Sequence, residues 1–122
     1  MEKGKKETPQ AQPKWEREEQ VLLVVEYFAS KDDRLLIAKS DVFLSEFLRM
    51  RAQKLGRVVG EKYRNVCGIQ SQRENLSHFD PDNKGEKTGH ESIWMEKIVT
   101  EYLGKTTEIL AEAYEILKKY YN

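Results

Sequence analysis

The chain lacks most of the features that would assign it to a specialised class of protein. It has a single cysteine, Cys67, so no internal disulfide can form and no zinc-finger spacing is present. No apolar run approaches the ~20 residues that a membrane-spanning helix needs, and the first residues contain no apolar stretch typical of a secretory signal. For a chain of 122 residues, these absences predict one cytoplasmic domain that does not associate with a membrane.

The sequence also lacks the residue patterns of common catalytic sites. The two histidines, His78 and His90, have no strand-like sequence around them, although an HNH-type metal motif requires one. The loop 80–91 overlaps a calcium-binding pattern, but Lys84 occupies a ligand position and would repel the ion. We therefore expect no catalytic residue, no metal site and no cofactor, and so no enzymatic activity.

Most of the apolar residues recur at the spacing of helix faces. Residues 1–14 are charged, hold two of the three prolines and contain no large apolar residue, which predicts a disordered tail before a single domain over 15–122. The spacing of Val, Leu and Phe predicts a first helix over 16–30. A second helix is expected to start at a Ser40 or Asp41 cap and to stop before Gly56.

The second half of the chain predicts two further helical segments. Asn65 is the expected N-cap of a helix that runs from residue 66 to about residue 78. Thr88 and Glu91 fit a capping box in front of a long C-terminal helix, which Gly104 is expected to kink or split. No strand-like alternation occurs, so we predict an all-α bundle of four to five helices with a helix-turn-helix-like centre.

The formal net charge of zero conceals an uneven distribution. Residues 1–48 carry a net charge of −2, residues 49–76 carry +5 and residues 77–122 carry −3. A basic segment between two helices is a candidate phosphate-binding surface. The cations that we expect to contact phosphates are Arg49, Arg51, Lys54, Arg57, Lys62 and Arg64. The alternative is a solvated helix face that nearby acidic helices balance.

The helix after this basic turn carries side chains that can read bases. Gln can pair bidentately with adenine and Arg with guanine in the major groove. Gln70, Gln72 and Arg73 are therefore expected to approach bases. We place Gln70 and Arg73 on one face, opposite Ile69 and Leu76. An ordinary polar helix face would explain the same residues, since Gln and Arg favour helices.

Several short pieces in a fixed order resemble a known family. They are the central run YRNVCGI, then Asp80-Pro81 and Trp94 downstream, with a Trp and Glu-Glu upstream leading a Leu- and Val-rich helix. The chain is similar over residues 15–100 to the small helical domain that precedes the catalytic module of many bacterial HNH endonucleases, including restriction-type enzymes. The matching positions are Trp15, Glu18, Glu19, Tyr27, Phe28, Arg64, Asn65, Gly68, Ile69, Asn75, Asp80, Pro81 and Trp94.

The resemblance implies a helical DNA-recognition domain without catalytic residues of its own, acting with a nuclease that is a partner or a fused module. A second interpretation is a protein-interaction or oligomerisation domain with no nucleic-acid role. Its basis is the C-terminal helix, whose apolar residues exceed what one small core can bury and would suit a homodimer. These residues are Ile109, Leu110, Tyr114, Ile116, Leu117, Tyr120 and Tyr121.

Overall fold

Five helices form the protein in the computed structural model, which describes residues 13–83 and 91–121. No strand occurs in these two ranges, so the prediction of an all-α bundle is confirmed. The helices are α1 (Arg17–Ser30), α2 (Arg34–Lys54), α3 (Val66–Ser77), α4 (Ile93–Gly104) and α5 (Thr106–Tyr121).

Helix α1 is the centre of the bundle and packs against each of the other four helices. Its four consecutive residues 21–24 (VLLV) are all buried, so apolar side chains point to every side of this helix. A helix that is apolar all round must be covered all round. The remaining core residues come from one face of each surrounding helix.

Helix α2 begins seven or eight residues earlier than the sequence predicted, because Asp33 caps it and Ser40 and Asp41 do not. The Asp33 carboxylate accepts hydrogen bonds from the backbone N–H groups of Leu35 and Leu36 at 2.9 and 3.2 Å. Ser40 and Asp41 lie buried inside α2. The two residues have the right chemistry for a cap, but their side chains bind a residue of α3 instead.

The end of α2 confirms the predicted glycine stop. Gly56 has a φ of +77°, a conformation that residues with a Cβ rarely adopt. The backbone N–H of Gly56 bonds to the carbonyl of Gln53, and that of Arg57 bonds to the carbonyl of Ala52, both at 3.0 Å. This pair of bonds is a Schellman motif, which satisfies the last carbonyls of the helix.

The connection from α2 to α3 corrects the prediction of a helix-turn-helix-like centre. It spans the eleven residues 55–65, whereas a helix-turn-helix joins its two helices by three or four. The predicted Asn65 cap is confirmed, since the Asn65 side chain accepts a hydrogen bond from the backbone N–H of Gly68 at 2.8 Å.

The predicted long C-terminal helix is split, as Gly104 indicated, into α4 and α5 with Lys105 between them. Thr88 of the predicted capping box lies outside the described residues, as do residues 1–12 of the predicted tail. Pro13 and Lys14, the last two tail residues, accept hydrogen bonds from Arg64 through their carbonyls. None of the helices in the described ranges is long and apolar enough to cross a bilayer.

Candidate nucleic-acid interface

Three of the arginines predicted to contact DNA are buried. Arg51, Arg64 and Arg73 are 4%, 3% and 7% exposed. A buried guanidinium must be paired, and it cannot also reach a phosphate or a base. The assignment of these three residues to a DNA surface is therefore wrong, and each has a structural partner instead.

Arg73 belongs to the inward face of α3, not to the outward face where the sequence analysis placed it. It follows Ile69 by four residues and precedes Leu76 by three, which is the spacing of one helix face. Its Nε donates to Oδ1 of Asp41 at 2.8 Å. Its two Nη atoms donate to the hydroxyls of Ser30 at 2.9 Å and Ser40 at 2.8 Å. Arg73 therefore ties α3 to α1 and α2.

Arg64 occupies a second buried ion pair, just before α3. Its Nε and Nη2 donate to the Glu19 carboxylate at 2.7 and 3.0 Å. The guanidinium also lies 4.7 Å from the ring centroid of Trp15. Its backbone has a φ of 47°, and its carbonyl accepts a hydrogen bond from the Ser45 hydroxyl at 2.8 Å. This left-handed conformation costs free energy in a non-glycine residue, so side-chain pairing must hold it in place.

Arg51 and Arg57 share the carboxylate of Glu16 at the start of α1. Arg51 Nη2 lies 2.9 Å from Oε1 of Glu16, and Arg57 Nη1 lies 2.6 Å from the same oxygen. Arg51 also binds Glu18 at 2.8 Å. The hydrogen bond from Arg57, together with that from Arg51, lowers the pKa of Glu16 from 4.5 to about 2. Arg57 nevertheless keeps a side chain that is 44% exposed.

Glu18 joins the same group of charges to α5. Burial alone would raise the pKa of Glu18, but hydrogen bonds from Tyr120, Lys119 and Arg51 lower it overall. Around the first turn of α1, four cations form ion pairs with three carboxylates. The cations are Arg51, Arg57, Arg64 and Lys119, and the carboxylates are Glu16, Glu18 and Glu19. Much of the +5 of residues 49–76 is therefore cancelled by acidic residues of α1.

Two further cations of the predicted set bind backbone carbonyls. Arg49 is half-buried, and its Nη1 donates to the carbonyls of Gly60 and Tyr63 at 3.0 and 2.6 Å, which shapes the loop before α3. The Lys54 ammonium donates to the carbonyl of Tyr120. Both residues stabilise the fold and retain partial access to solvent.

The surface that remains is the outward face of α3 and the loop before it. Lys62 is exposed and has no ion-pair partner in the two described ranges. Gln70 is exposed, while Gln72 is half-buried and its Oε1 accepts no hydrogen bond from a described residue. Asn65, which lies between Lys62 and the two glutamines in the sequence, caps the first turn of α3. The exposed polar face of α3 is formed by Cys67, Gln70, Ser71 and Glu74.

A cleft of about 220 Å³ lies beside the first turn of α3. It adjoins Lys62 and Gln72, whose ammonium and amide oxygen respectively have no ion-pair partner and no hydrogen-bond donor among the described residues. Its lining residues are Trp15, Lys62, Arg64, Asn65, Gly68 and Gln72. Apart from the buried Arg64, three of the residues predicted to contact DNA, Lys62, Asn65 and Gln72, therefore lie around one depression. In the described ranges, no group of three or more His, Cys, Asp or Glu side chains is arranged to hold a metal ion.

The carboxylates that bind the arginines are the residues that the sequence analysis missed. Acids such as Glu16, Glu18 and Glu19 are favourable at the start of any helix, so their presence there does not by itself indicate partners. A cluster of three acids next to a buried helix could also have indicated cationic partners from the +5 segment. Asp41 gave no such signal, because its partner Arg73 lies 32 residues away in the sequence.

Comparison of the chain with protein-family models, with curated proteins and with solved structures finds no match.

Proposed function

We propose that the protein is a non-catalytic DNA-binding module that inserts the outward face of α3 into the major groove. The observation that supports this most is the separation of roles on α3. Its inward face is fixed by Ile69, Arg73 and Leu76, while its outward face is polar and exposed. Lys62, which has no ion-pair partner in the described ranges, lies beside the first turn of the same helix. A reading helix requires one anchored face and one face that is free to reach base edges.

The remaining residues of the predicted set then have different roles. Gln70, on the outward face, is the proposed base-reading side chain, because its amide can pair with adenine. The predicted base contact of Gln72 does not belong to this face, since Gln72 is half-buried and lines the cleft beside Asn65 and Gly68. Asn65 caps α3, and the positive end of that helix favours a phosphate close to it. The proposed phosphate contacts are Arg49, Lys54, Arg57 and Lys62.

The ion pairs predict weak binding that depends strongly on salt. Arg57 must share its guanidinium with Glu16, so a phosphate competes with a carboxylate already in contact. Lys62 has no such competitor in the described ranges and is the strongest single phosphate contact in this proposal. Each neutralised phosphate contributes about 0.9 to the slope of log K against log salt.

A titration of labelled duplexes compares Lys62→Ala with Lys105→Ala. Both substitutions remove one exposed lysine charge. Lys105, however, lies in the turn between α4 and α5, and Lys62 lies in the loop before α3. We expect Lys62→Ala to weaken binding to every duplex and to lower the salt slope by about 1. Lys105→Ala should have a much smaller effect. Equal losses in both variants would mean that overall charge, and not this surface, binds the DNA.

The base-reading role has its own test. Gln70→Ala should change affinity among duplexes of different sequence while leaving the salt slope unchanged, because a base contact releases no counterions. Ser71→Ala alters a neighbouring exposed residue of the same helix and serves as the control. A uniform loss for all duplexes in Gln70→Ala would contradict base reading.

We also propose that a nuclease acts with this module, either as a partner chain or as a fused module. The support is the resemblance of residues 15–100 to the domain that precedes HNH catalytic modules. Plasmid DNA incubated with the purified chain and divalent metal ions should remain intact. Cleavage by the chain alone would contradict this division of labour.

A second candidate function, helix-mediated protein interaction, is favoured by α5. Leu110, Tyr114 and Tyr121 are 45%, 61% and 60% exposed on that helix. Helix α5 packs on α1 and α4 and contacts Phe47 of α2 only through Tyr120 and Tyr121 at its C-terminal end, so the rest of its outer side stays exposed. If association through α5 is the sole function, the chain will self-associate and will bind no duplex even at low salt.

A further inference from the structure

The outward face of α3 carries a single carboxylate, that of Glu74. It lies one helical turn after Gln70 and Ser71, on the same side of the helix. A shallow depression on this face is lined by Cys67, Gln70, Ser71, Glu74 and Asn75. The Glu74 side chain is 74% exposed, so a ligand can reach it. A carboxylate repels the phosphates of DNA, and it is favourable on a DNA-binding face only where it meets a hydrogen-bond donor.

A buried histidine holds the Glu74 carboxylate from behind. The side chain of His78, at the end of α3, is 5% exposed, and its Nε2 lies 3.4 Å from Oε2 of Glu74. Its Nδ1 contacts Oε2 of Glu91, a carboxylate just before α4 that is also 5% exposed. Because the imidazole is fixed on its far side, it limits the positions that the Glu74 carboxylate can take. A side chain held in this way is oriented before its ligand arrives.

Glu74 has the chemistry to recognise cytosine. In the major groove, cytosine offers its N4 amino group as a donor, and a Glu or Asp carboxylate can accept from it. Thymine offers its O4 acceptor at the same edge of the base, and a carboxylate would be repelled by it. The carboxylate therefore attracts one base and rejects another, and specificity depends on both effects.

We infer that Glu74 is a further specificity-determining residue, which accepts a hydrogen bond from the N4 amino group of a cytosine in the major groove. The inference rests on the proposed function, since it concerns the same helix face. Gln70 and Glu74 are four residues apart, about 6 Å along the helix, and successive base pairs are about 3.4 Å apart. The preferred DNA therefore has the cytosine of Glu74 within about two base steps of the adenine of Gln70.

The base preference of Glu74→Gln tests this inference. A binding site is first selected by the wild-type chain from a pool of random duplexes, and fluorescence anisotropy then gives the dissociation constant for each single change of a base pair. Wild type should bind about fivefold or more tightly with cytosine than with thymine at one position. Glu74→Gln should lose this preference and favour adenine there, because a glutamine amide pairs with adenine.

Glu61→Gln is the matched control. It removes an exposed carboxylate from the loop before α3, outside the helix face. The loss of one acidic charge should strengthen binding to all duplexes slightly in both variants, but only Glu74→Gln should change the preferred base. Loss of the cytosine preference in Glu61→Gln as well would overturn the inference.

His78→Gln tests whether the histidine positions Glu74. We expect a smaller cytosine preference with an unchanged salt slope, because no phosphate contact is altered. An equal loss of affinity for every duplex would show that His78 only stabilises the fold. Circular dichroism of each variant checks that it folds.

The failure of this inference differs from the failure of the proposed function. Absence of binding to every duplex would overturn both. Binding that Lys62→Ala weakens, with the same base preference in wild type and Glu74→Gln, would overturn only the role of Glu74.

Discussion

Arg64 and Arg73 each meet a carboxylate that is as buried as the guanidinium itself. The Arg64 and Glu19 side chains are 2% and 1% exposed, and those of Arg73 and Asp41 are 9% and 3% exposed. Pairs of this kind add little net stability compared with apolar residues of the same volume. Removing one partner is nevertheless costly, because it leaves the other charge buried and unpaired. These two arginines therefore hold α3 and the chain before it in position.

Replacement of Arg73 by methionine should lower the free energy of unfolding by about 3–5 kcal/mol, because Asp41 would remain buried without its counter-charge. Gln70→Met, on the exposed face of the same helix, should change it by no more than about 0.5 kcal/mol. Urea unfolding followed by circular dichroism measures both. A similar small loss in the two variants would show that Arg73 is not structural.

At the level of elements, helix boundaries were predictable where a local rule decides them. Gly56 and Asn65 end α2 and begin α3 through bonds to residues at most four positions away. The start of α2 was not predictable in this way, because Asp33 and Asp41 suit a cap equally well. Only the contact between Asp41 and Arg73 of another helix distinguishes them.

The Schellman turn at the end of α2 predicts opposite responses of two glycines to alanine. Gly56→Ala places a Cβ at a φ of +77° and should destabilise the protein by about 1–2 kcal/mol. Gly60→Ala meets open space at a position without a positive φ, so it should be neutral or slightly stabilising. Thermal unfolding of both variants provides the comparison. Equal midpoints would contradict the assigned role of Gly56.

For the whole molecule, zero net charge results from an internal cancellation. The acidic first turn of α1 neutralises cations from α2, α5 and the loop before α3. The sequence predicted the all-α fold and the basic segment, since both follow from composition and periodicity. It could not predict which arginines are exposed, because the burial of Arg64 depends on Glu19, which lies 45 residues away.

Carboxylates that are paired with arginines make the free energy of unfolding depend on pH in the acid range. The pKa of Glu16 falls from 4.5 to about 2, and hydrogen bonds from Arg17 lower that of Glu101. A carboxylate whose pKa is lower in the folded state stabilises the protein above its unfolded pKa. The stabilisation disappears as pH falls through the folded value. The free energy of unfolding should therefore decrease between about pH 5 and pH 2.

Urea unfolding at a series of pH values measures this decrease. Glu16→Gln removes the strongly shifted group and should reduce the slope in the acid range. The reduction will be modest, because the Glu16 side chain is 42% exposed and water screens its ion pairs. An acid slope identical in both proteins would contradict the assigned effect of Arg57 and Arg51 on Glu16.

We propose that Lys62 and the outward face of α3 bind DNA while buried arginines support that face. The decisive measurement is the fluorescence anisotropy of a labelled duplex, titrated with wild-type protein and with Lys62→Ala between ~50 and ~200 mM salt. We predict binding by the wild-type chain that weakens with salt, and weaker binding with a smaller salt slope for Lys62→Ala. Absence of binding to any duplex at the lowest salt, or identical curves for the two proteins, would contradict it.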